Sequence, residues 1–169
     1  SSSGGITVGV ATATTLVVGT ALSTSGANVG LGTETPRAKL DIVGETRFEA
    51  YSEIVQVVTS SSGEVDLDLS KGQNFEITTT ENITAFNLLN ITSGTTRSYT
   101  IKVTQDSSTP YTVDIDTYRL NGGSQLSCNW PGGIVPTVTN VAGKTDIYSF
   151  MTFDGGTTIF GVVGGQNFS

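Results

Sequence analysis

The stretch SGANVGLGTETPRAKLDIVG, at residues 25–44, decides how this chain is organised. Its first half is rich in glycine, which reaches backbone angles closed to other residues and therefore indicates turns or closely approaching backbones. Pro36 then disfavours a helix, because proline lacks a backbone donor and restricts the residue before it. The residues that follow alternate like a strand, with one face expected to be buried, namely Ala38, Leu40 and Ile42. We interpret the stretch as a joint between a fibrous leader and a globular β domain; the simpler alternative is a loop followed by an ordinary strand.

The segment GLGTETPRAKLDIVG, at residues 30–44, resembles a motif that recurs in trimeric phage tail fibres and related shaft proteins. The motif has the form G-[IL]-G-T-x-x-P-x-x-K-L-D-[IV]-x-G, and similar text also occurs in bacterial surface adhesins. The matching positions are Gly30, Leu31, Gly32, Thr33, Pro36, Lys39, Leu40, Asp41, Ile42 and Gly44. The resemblance implies a structural segment that contributes to the packing of three chains, and it brings no active-site residue with it.

The leader before this joint is uncharged up to Glu34 and is rich in threonine and valine, which favour strands. Its text GVATATTLVVG, at residues 9–19, resembles shaft repeats of marine cyanobacterial phage fibres; the alternative is a flexible Ser/Thr linker. Such a segment is prone to aggregate on a free monomer, so we expect residues 1–47 to pair with copies of themselves around a shared axis. The candidate oligomer-interface residues are Val8, Val10, Leu16, Val17, Leu31, Leu40 and Ile42.

From Phe48 onward the sequence is a succession of short strand patterns separated by turn signals. Residues 64–69 and 98–105 alternate strictly, and residues 144–163 have the pattern of a hairpin around an Asp-Gly-Gly turn. We also predict strands at residues 111–116 and, as an edge strand containing a proline, at residues 134–141. Short strands at this spacing predict an all-β protein in which residues 48–169 form an antiparallel β-sandwich or jelly roll.

The last seventy or so residues resemble a domain that closes several structural proteins of marine cyanobacterial phages. The resemblance rests on the text from Tyr99 through TQD at residues 104–106, and on WPGG at 130–133, PTVT at 136–139, GKTD at 143–146 and FDGGTTIFGVVGGQNF at 153–168. It implies a virion part without enzyme activity.

Composition excludes several classes of function. The 169 residues carry a formal charge of −7 and contain no basic run, so the chain cannot supply the lysines and arginines that bind nucleic acid or anionic membranes. There is no histidine, which removes the commonest general base and zinc ligand. Cys128 is the single cysteine, so no disulfide forms within the chain, and we expect it to be a small buried residue. Because the chain begins with Ser1 rather than Met, we expect it to be processed or part of a longer polypeptide.

Two pairs of carboxylates are the obvious candidates for chemistry. Asp66 and Asp68, and likewise Asp114 and Asp116, lie two residues apart on predicted strands, so each pair shares a face. A calcium site needs six to eight oxygen ligands, and glycoside cleavage needs a cleft with a carboxyl of raised pKa. The sequence provides neither pattern, so we predict no catalytic residue, no metal and no cofactor.

Asn129 and Trp130 are the candidate receptor-contact residues, in an irregular loop flanked by glycine and proline. An exposed tryptophan beside an amide could stack on a sugar, while the alternative is that Trp130 fills one end of the sandwich core.

These observations predict a non-enzymatic virion structural protein of a bacteriophage. It would be a fibre, spike or capsid-decorating subunit on the particle surface that assembles as a homotrimer with other virion proteins. The alternative function is a carbohydrate-binding tip that contacts a host-surface glycan through Trp130 and Asn129.

Overall fold

The computed structural model describes residues 22–25 and 28–169. This part of the chain contains thirteen β-strands and one 3₁₀ turn, joined by loops. The prediction of an all-β protein is therefore confirmed. The chain divides into two compact units between Tyr51 and Ser52, whereas the sequence pattern divides it between Arg47 and Phe48. The predicted interface residues Val8, Val10, Leu16 and Val17 lie outside the described residues.

The first unit contains a three-stranded sheet made of β1 (Leu22–Ser25), β2 (Asn28–Leu31) and β3 (Leu40–Ile42). β1 and β2 are antiparallel, and β3 runs parallel to β2. The chain leaves β2 through Gly32, whose φ of 75° is unfavourable for other residues. A Cβ atom at this position would also lie 2.6 Å from the Val43 carbonyl oxygen. The glycine is therefore required both by the turn and by the close approach of the two chain segments.

The strand alternation predicted after Pro36 is present, but its faces are reversed. Asp41 is the buried residue of β3, at 8% exposure, and Leu40 is 55% exposed. The Asp41 carboxylate accepts hydrogen bonds from the backbone N–H of Arg37, at 2.9 Å, and from the Arg37 guanidinium, at 2.9 and 3.2 Å. The planar guanidinium donates to both carboxylate oxygens at once, which allows an acidic group to turn inward while leucine turns outward.

The second unit is a sandwich of two five-stranded sheets. One sheet has the order β11-β10-β8-β6-β5, and the other has the order β13-β12-β9-β7-β4. The strands are β4 (Val55–Val58), β5 (Ser60–Ser61), β6 (Glu64–Asp68), β7 (Asn74–Thr78), β8 (Ala85–Leu89), β9 (Arg97–Thr104), β10 (Thr117–Leu120), β11 (Gln125–Ser127), β12 (Thr145–Thr152) and β13 (Phe160–Phe168).

The sheets are mixed rather than antiparallel. From β6 to β10 each connection crosses to the opposite sheet, so two successive crossings restore the original direction. As a result β6 pairs in parallel with β8, β8 with β10, and β7 with β9. Hydrophobic alternation shows which side chains share a face but does not specify the direction of the neighbouring strand. The sandwich is confirmed, and its antiparallel pairing is corrected.

The core lies between the two sheets and follows the predicted alternation. Every second residue of β6 and β9 is buried, including Val65 and Leu67 on one sheet and Ile101 and Val103 on the other. The aromatic members of the core are Phe75, Phe86, Tyr99, Tyr118, Trp130, Tyr148 and Phe150. The predicted C-terminal hairpin is present as the antiparallel pair β12 and β13.

Residues 111–116 and 134–141 do not form the predicted strands. Apart from an isolated bridge between Val113 and Ile83, both segments are irregular. Their backbone groups are bound by side chains instead: the Gln105 amide binds the backbone N–H of Tyr111 at 2.9 Å, and Asp146 binds the backbone N–H of Thr139 at 2.7 Å. A strand pattern is therefore compatible with a loop when buried polar side chains replace a neighbouring strand.

Candidate functional site

The three predicted interface residues that the structure describes, Leu31, Leu40 and Ile42, lie together on one face of the sheet in the first unit. Val29 is opposite Leu40, and Leu31 is opposite Ile42, so these four apolar side chains point to the same side. Leu31 is 37% exposed and Leu40 is 55% exposed. We call this set, Val29, Leu31, Leu40 and Ile42, the leucine face.

The described part of the first unit has almost no interior. Among residues 28–51 only Gly30 and Asp41 are buried. Further large apolar side chains are exposed after β3, including Val43, Phe48 and Tyr51, and the two aromatic rings lie 6.4 Å apart between centroids. A unit with so few buried and so many exposed apolar side chains is a candidate for an interaction surface.

The candidate receptor residue Trp130 lies in the core of the second unit. Its indole N–H donates to the Asp116 carboxylate at 2.9 Å, and its ring meets Tyr148 and Phe150 edge to face, with centroids 6.2 and 5.7 Å away. On the other side Gly161 permits its close approach, because a Cβ there would come within 2.7 Å of the indole ring. The ring is covered, so it has no free face on which a sugar could stack.

Asn129 is exposed, but its polar groups bind the chain itself. Its side-chain amide donates to the Ile159 carbonyl at 3.1 Å, and its backbone N–H donates to the same oxygen at 2.7 Å. Its own carbonyl accepts from the backbone N–H of Gly161 at 3.0 Å. Asn129 therefore connects the loop to the beginning of β13, and the placement of these two residues removes the basis for a sugar site at Trp130.

Cys128 is buried beside Trp130, as expected for a small apolar residue. Burial, reinforced by the nearby negative charge of Asp116, raises the pKa of its thiol to about 12. The thiol is therefore protonated at neutral pH, which disfavours a nucleophilic role because only the thiolate attacks.

The paired carboxylates serve local structure. Asp114 accepts from the backbone N–H of Asp116 at 2.9 Å and from the Thr117 hydroxyl at 2.9 Å. Asp68 accepts from the Asn90 amide at 2.8 Å and the Ser70 hydroxyl at 2.7 Å. Within residues 22–25 and 28–169 no group of three or more histidine, cysteine, aspartate or glutamate side chains could hold a metal ion.

Sequence reasoning missed a buried carboxylate that holds three segments together. Asp146, on β12, is 1% exposed and accepts from the backbone N–H groups of Thr139 and Asn167, at 2.7 and 2.8 Å, and from the Tyr148 hydroxyl at 2.9 Å. Burial alone would raise the pKa of Asp146, but the hydrogen bonds that its carboxylate accepts, led by those from the two backbone N–H groups, together outweigh burial and hold the pKa below its usual value. In the sequence, Asp146 looks like any strand-face aspartate.

A groove of about 480 Å³ crosses the outer face of the five-stranded sheet that contains β13. Its floor consists of small hydroxyl side chains on neighbouring strands, Ser98, Thr100 and Ser149. One wall is polar, with the Glu53 carboxylate accepting from the Asn74 amide at 2.6 Å. We call this feature the outer groove.

The opposite wall of the outer groove is apolar. It is formed by the last outward-facing residues of β12 and the first of β13, together with Phe153 between them: Met151, Phe153, Phe160 and Val162. The Phe153 and Phe160 rings meet edge to face with centroids 6.2 Å apart, and they are 61% and 45% exposed. No single stretch of sequence predicts the groove, because its floor and walls come from separate strands.

No protein-family model, curated protein sequence or solved structure matches this chain. Among the residues that the structure describes, none forms a helix long and apolar enough to cross a membrane. Within the described residues, the leucine face and the outer groove are the surface features that we consider as candidates for function.

Proposed function

We propose that this chain is a non-enzymatic structural subunit of a bacteriophage virion, in a fibre, spike or capsid decoration. In this proposal it acts by assembling as a homotrimer on the particle surface, together with other virion proteins. Two resemblances support the proposal that the particle is a phage. Residues 30–44 resemble shaft motifs, and the last seventy residues resemble a phage structural domain.

The exposed leucine face is the observation that carries the proposal. In a single chain Leu40 is more than half exposed, while Asp41 on the same short strand is buried against Arg37. A sheet that turns leucine toward solvent and aspartate inward leaves apolar surface that a second copy can remove from water. Two such faces from neighbouring chains, repeated about a threefold axis, would bury Leu31, Leu40 and Ile42 of every copy.

The second unit supports a structural role of a different kind. Its core contains nineteen buried apolar residues in one cluster without a disulfide, since Cys128 is unpaired. Buried polar side chains secure its loops: the amide of Gln105 binds the carbonyl oxygens of Tyr111 and Thr139, both at 2.9 Å. Loops fixed in this way resist local opening, which suits a part exposed on a particle surface.

Protein analysis of purified particles tests the virion assignment directly. Phage particles carrying the gene for this chain should be purified by density gradient, and their peptides should be identified by mass spectrometry. We expect peptides of the second unit in a constant ratio to the major capsid protein through repeated purification. If the peptides are absent from infectious particles, or are lost on washing, the chain is not a virion part.

A further inference from the structure

We propose that the outer groove is a binding site for a neutral carbohydrate of more than one sugar unit. The site is separate from the leucine face in residue content, and it lies entirely within the second unit. It gives the chain a recognition function in addition to assembly, at residues other than Trp130 and Asn129.

The dimensions of the groove follow from the register of the strands. Asn74 is opposite Thr100, Thr100 is opposite Ser149, and Ser149 is opposite Val162, so one row of side chains crosses four strands. With strands about 4.8 Å apart, this row is about 14 Å long. A volume of about 480 Å³ is within the usual range for small-molecule sites and suits an elongated ligand better than a single compact ring.

The lining has the two chemistries that a sugar presents. Hydroxyl side chains on the floor can both donate to and accept from sugar hydroxyls, and the Asn74 amide and Glu53 carboxylate extend this capacity at one end. At the other end, the exposed Phe153 and Phe160 rings offer apolar surface to the C–H faces of a sugar ring. A ligand with apolar faces and a rim of hydroxyls can contact the polar end and the apolar end of the groove at the same time.

Charge narrows the class of ligand. Glu53 is the charged side chain in the groove lining, and no lysine or arginine contributes to it. Lys102, which faces outward from β9, is paired with Glu76. An anionic sugar would therefore meet a carboxylate with no compensating cation, which costs electrostatic free energy. The groove fits neutral sugars and disfavours acidic ones.

The position of the groove on the face of the sheet favours a sugar over an extended peptide as its ligand. Peptide segments add to sheets through the free backbone groups of an edge strand. The groove instead runs across β7, β9, β12 and β13 on their outer face, where β9 and β12 already pair on both sides. Recognition here depends on side chains, and the side chains are those that bind hydroxyls and rings.

The test measures binding of maltotriose, mannotriose and chitotriose, with sialyllactose as the anionic probe, to the full chain. Saturation-transfer NMR detects contact, and isothermal titration calorimetry gives the affinity. We expect at least one neutral trisaccharide to bind with millimolar or better affinity and sialyllactose to bind more weakly. Failure of all three neutral probes to bind at millimolar concentration would overturn the proposal.

Two variants and a matched control locate the site. Phe153→Ala should weaken the affinity for the neutral trisaccharide about tenfold. Glu53→Gln should reduce the difference in affinity between the neutral probes and sialyllactose. Ile134→Ala removes another exposed apolar side chain of the second unit, outside the groove, and should leave affinity unchanged. Equal affinity of Phe153→Ala and wild type for the neutral sugars would contradict the proposed binding site. A Phe153→Ala variant with a lower oligomer mass than wild type would also contradict it, since the groove would then be a contact between chains. Oligomer mass of the wild type reports on the assembly proposal separately, so either proposal can fail alone.

Discussion

The two units of this chain treat their apolar residues in opposite ways. The second unit buries a large core of aromatic and aliphatic side chains between two sheets, so that Val65, Ile77 and Ile101 have no exposed surface, and it leaves other apolar side chains exposed outside that core. The first unit, in its described part, exposes Leu31, Leu40 and Phe48 and buries the charged Asp41. Both units are made of β-strands, so secondary structure does not account for the difference. A single sheet of three short strands has no second layer against which to bury a face.

From this comparison we expect the second unit to be stable alone and the first unit to require a partner. The second unit encloses a core of its own and binds buried polar side chains such as Asp146 and Gln105 within it. In the described part of the chain Leu31 and Leu40 of the leucine face stay exposed, so association is the physical route to their burial. If this reasoning is correct, core substitutions act on folding and leucine-face substitutions act on assembly.

The largest effect on folding is expected from Trp130→Ala. Removing the indole leaves a cavity beside Tyr148 and Phe150 and an unpaired Asp116 carboxylate, so the free energy of unfolding should fall by about 3–5 kcal/mol. Urea unfolding, followed by backbone circular dichroism because the variant lacks the tryptophan, measures the change in the free energy of unfolding. Phe153→Ala, at an exposed aromatic position, is the control and should change stability by about 0.5 kcal/mol or less. Similar losses for the two variants would contradict the placement of the core.

A smaller loss of stability is expected from Asp146→Asn. The amide group of asparagine cannot accept from all the donors around it, leaving a backbone N–H of Thr139 or Asn167 without a partner, at a cost of about 1–3 kcal/mol. The unfolding midpoint in urea measures this loss. Glu45→Gln, which removes the same charge at an exposed position, should leave the midpoint unchanged.

The same carboxylate predicts a dependence of stability on pH. Because the folded-state pKa of Asp146 is lowered, its contribution is complete above the unfolded value of about 3.9 and is lost as the pH falls through the folded pKa. Urea titrations at a series of pH values below 5 should therefore show a smaller acid-induced loss in Asp146→Asn than in wild type. Equal slopes for both proteins would show that Asp146 does not titrate with a lowered pKa.

Leu40→Lys should change assembly without changing the core. A charged group on the leucine face would need to be desolvated at a contact between chains, so we expect the oligomer to dissociate. The free energy of unfolding of the second unit, measured by urea titration, should stay within about 0.5 kcal/mol of wild type. Val141→Lys places the same charge on an exposed loop of the second unit and is the matched control for solution mass. An oligomer that survives Leu40→Lys would show that the leucine face is not the contact.

The smallest effect is expected from Arg37→Ala. The hydrogen bonds from the Arg37 side chain and backbone, together with its charge, lower the pKa of Asp41. Without the guanidinium the pKa of Asp41 should rise toward its ordinary value, which carbon-detected NMR of the carboxyl group can follow. Lys39→Ala removes a nearby positive charge that makes no such bond and should leave the pKa of Asp41 in place. A pKa unchanged by Arg37→Ala would mean that the backbone hydrogen bond alone holds the carboxylate.

Alternation in the sequence was sufficient to predict the sandwich core. The pattern in residues 64–69 predicted Val65, Leu67 and Leu69 on one face, and all three are buried. It was insufficient at Asp41, where the period is right but an arginine four residues earlier turns the polar side inward. Periodicity identifies two faces, and the partners available to each face decide which one is buried.

Features formed by several distant segments could not be predicted in this way. The parallel pairing of β6 with β8 depends on where each connection crosses between sheets. The outer groove depends on the register of four strands, and the network of Asp146 depends on a loop and the C-terminal strand meeting β12. For Trp130, the neighbouring glycine and proline are equally compatible with an exposed loop and with a plug of the core.

The mass of the purified chain in solution tests the central claim most directly. Light scattering coupled to gel filtration should give three times the chain mass of 17.5 kDa, and the value should persist on dilution. That result is expected if the leucine face is covered by other copies of the chain. A mass of 17.5 kDa that persists at all concentrations, with Leu40 accessible to solvent, would contradict self-assembly as the function of the first unit.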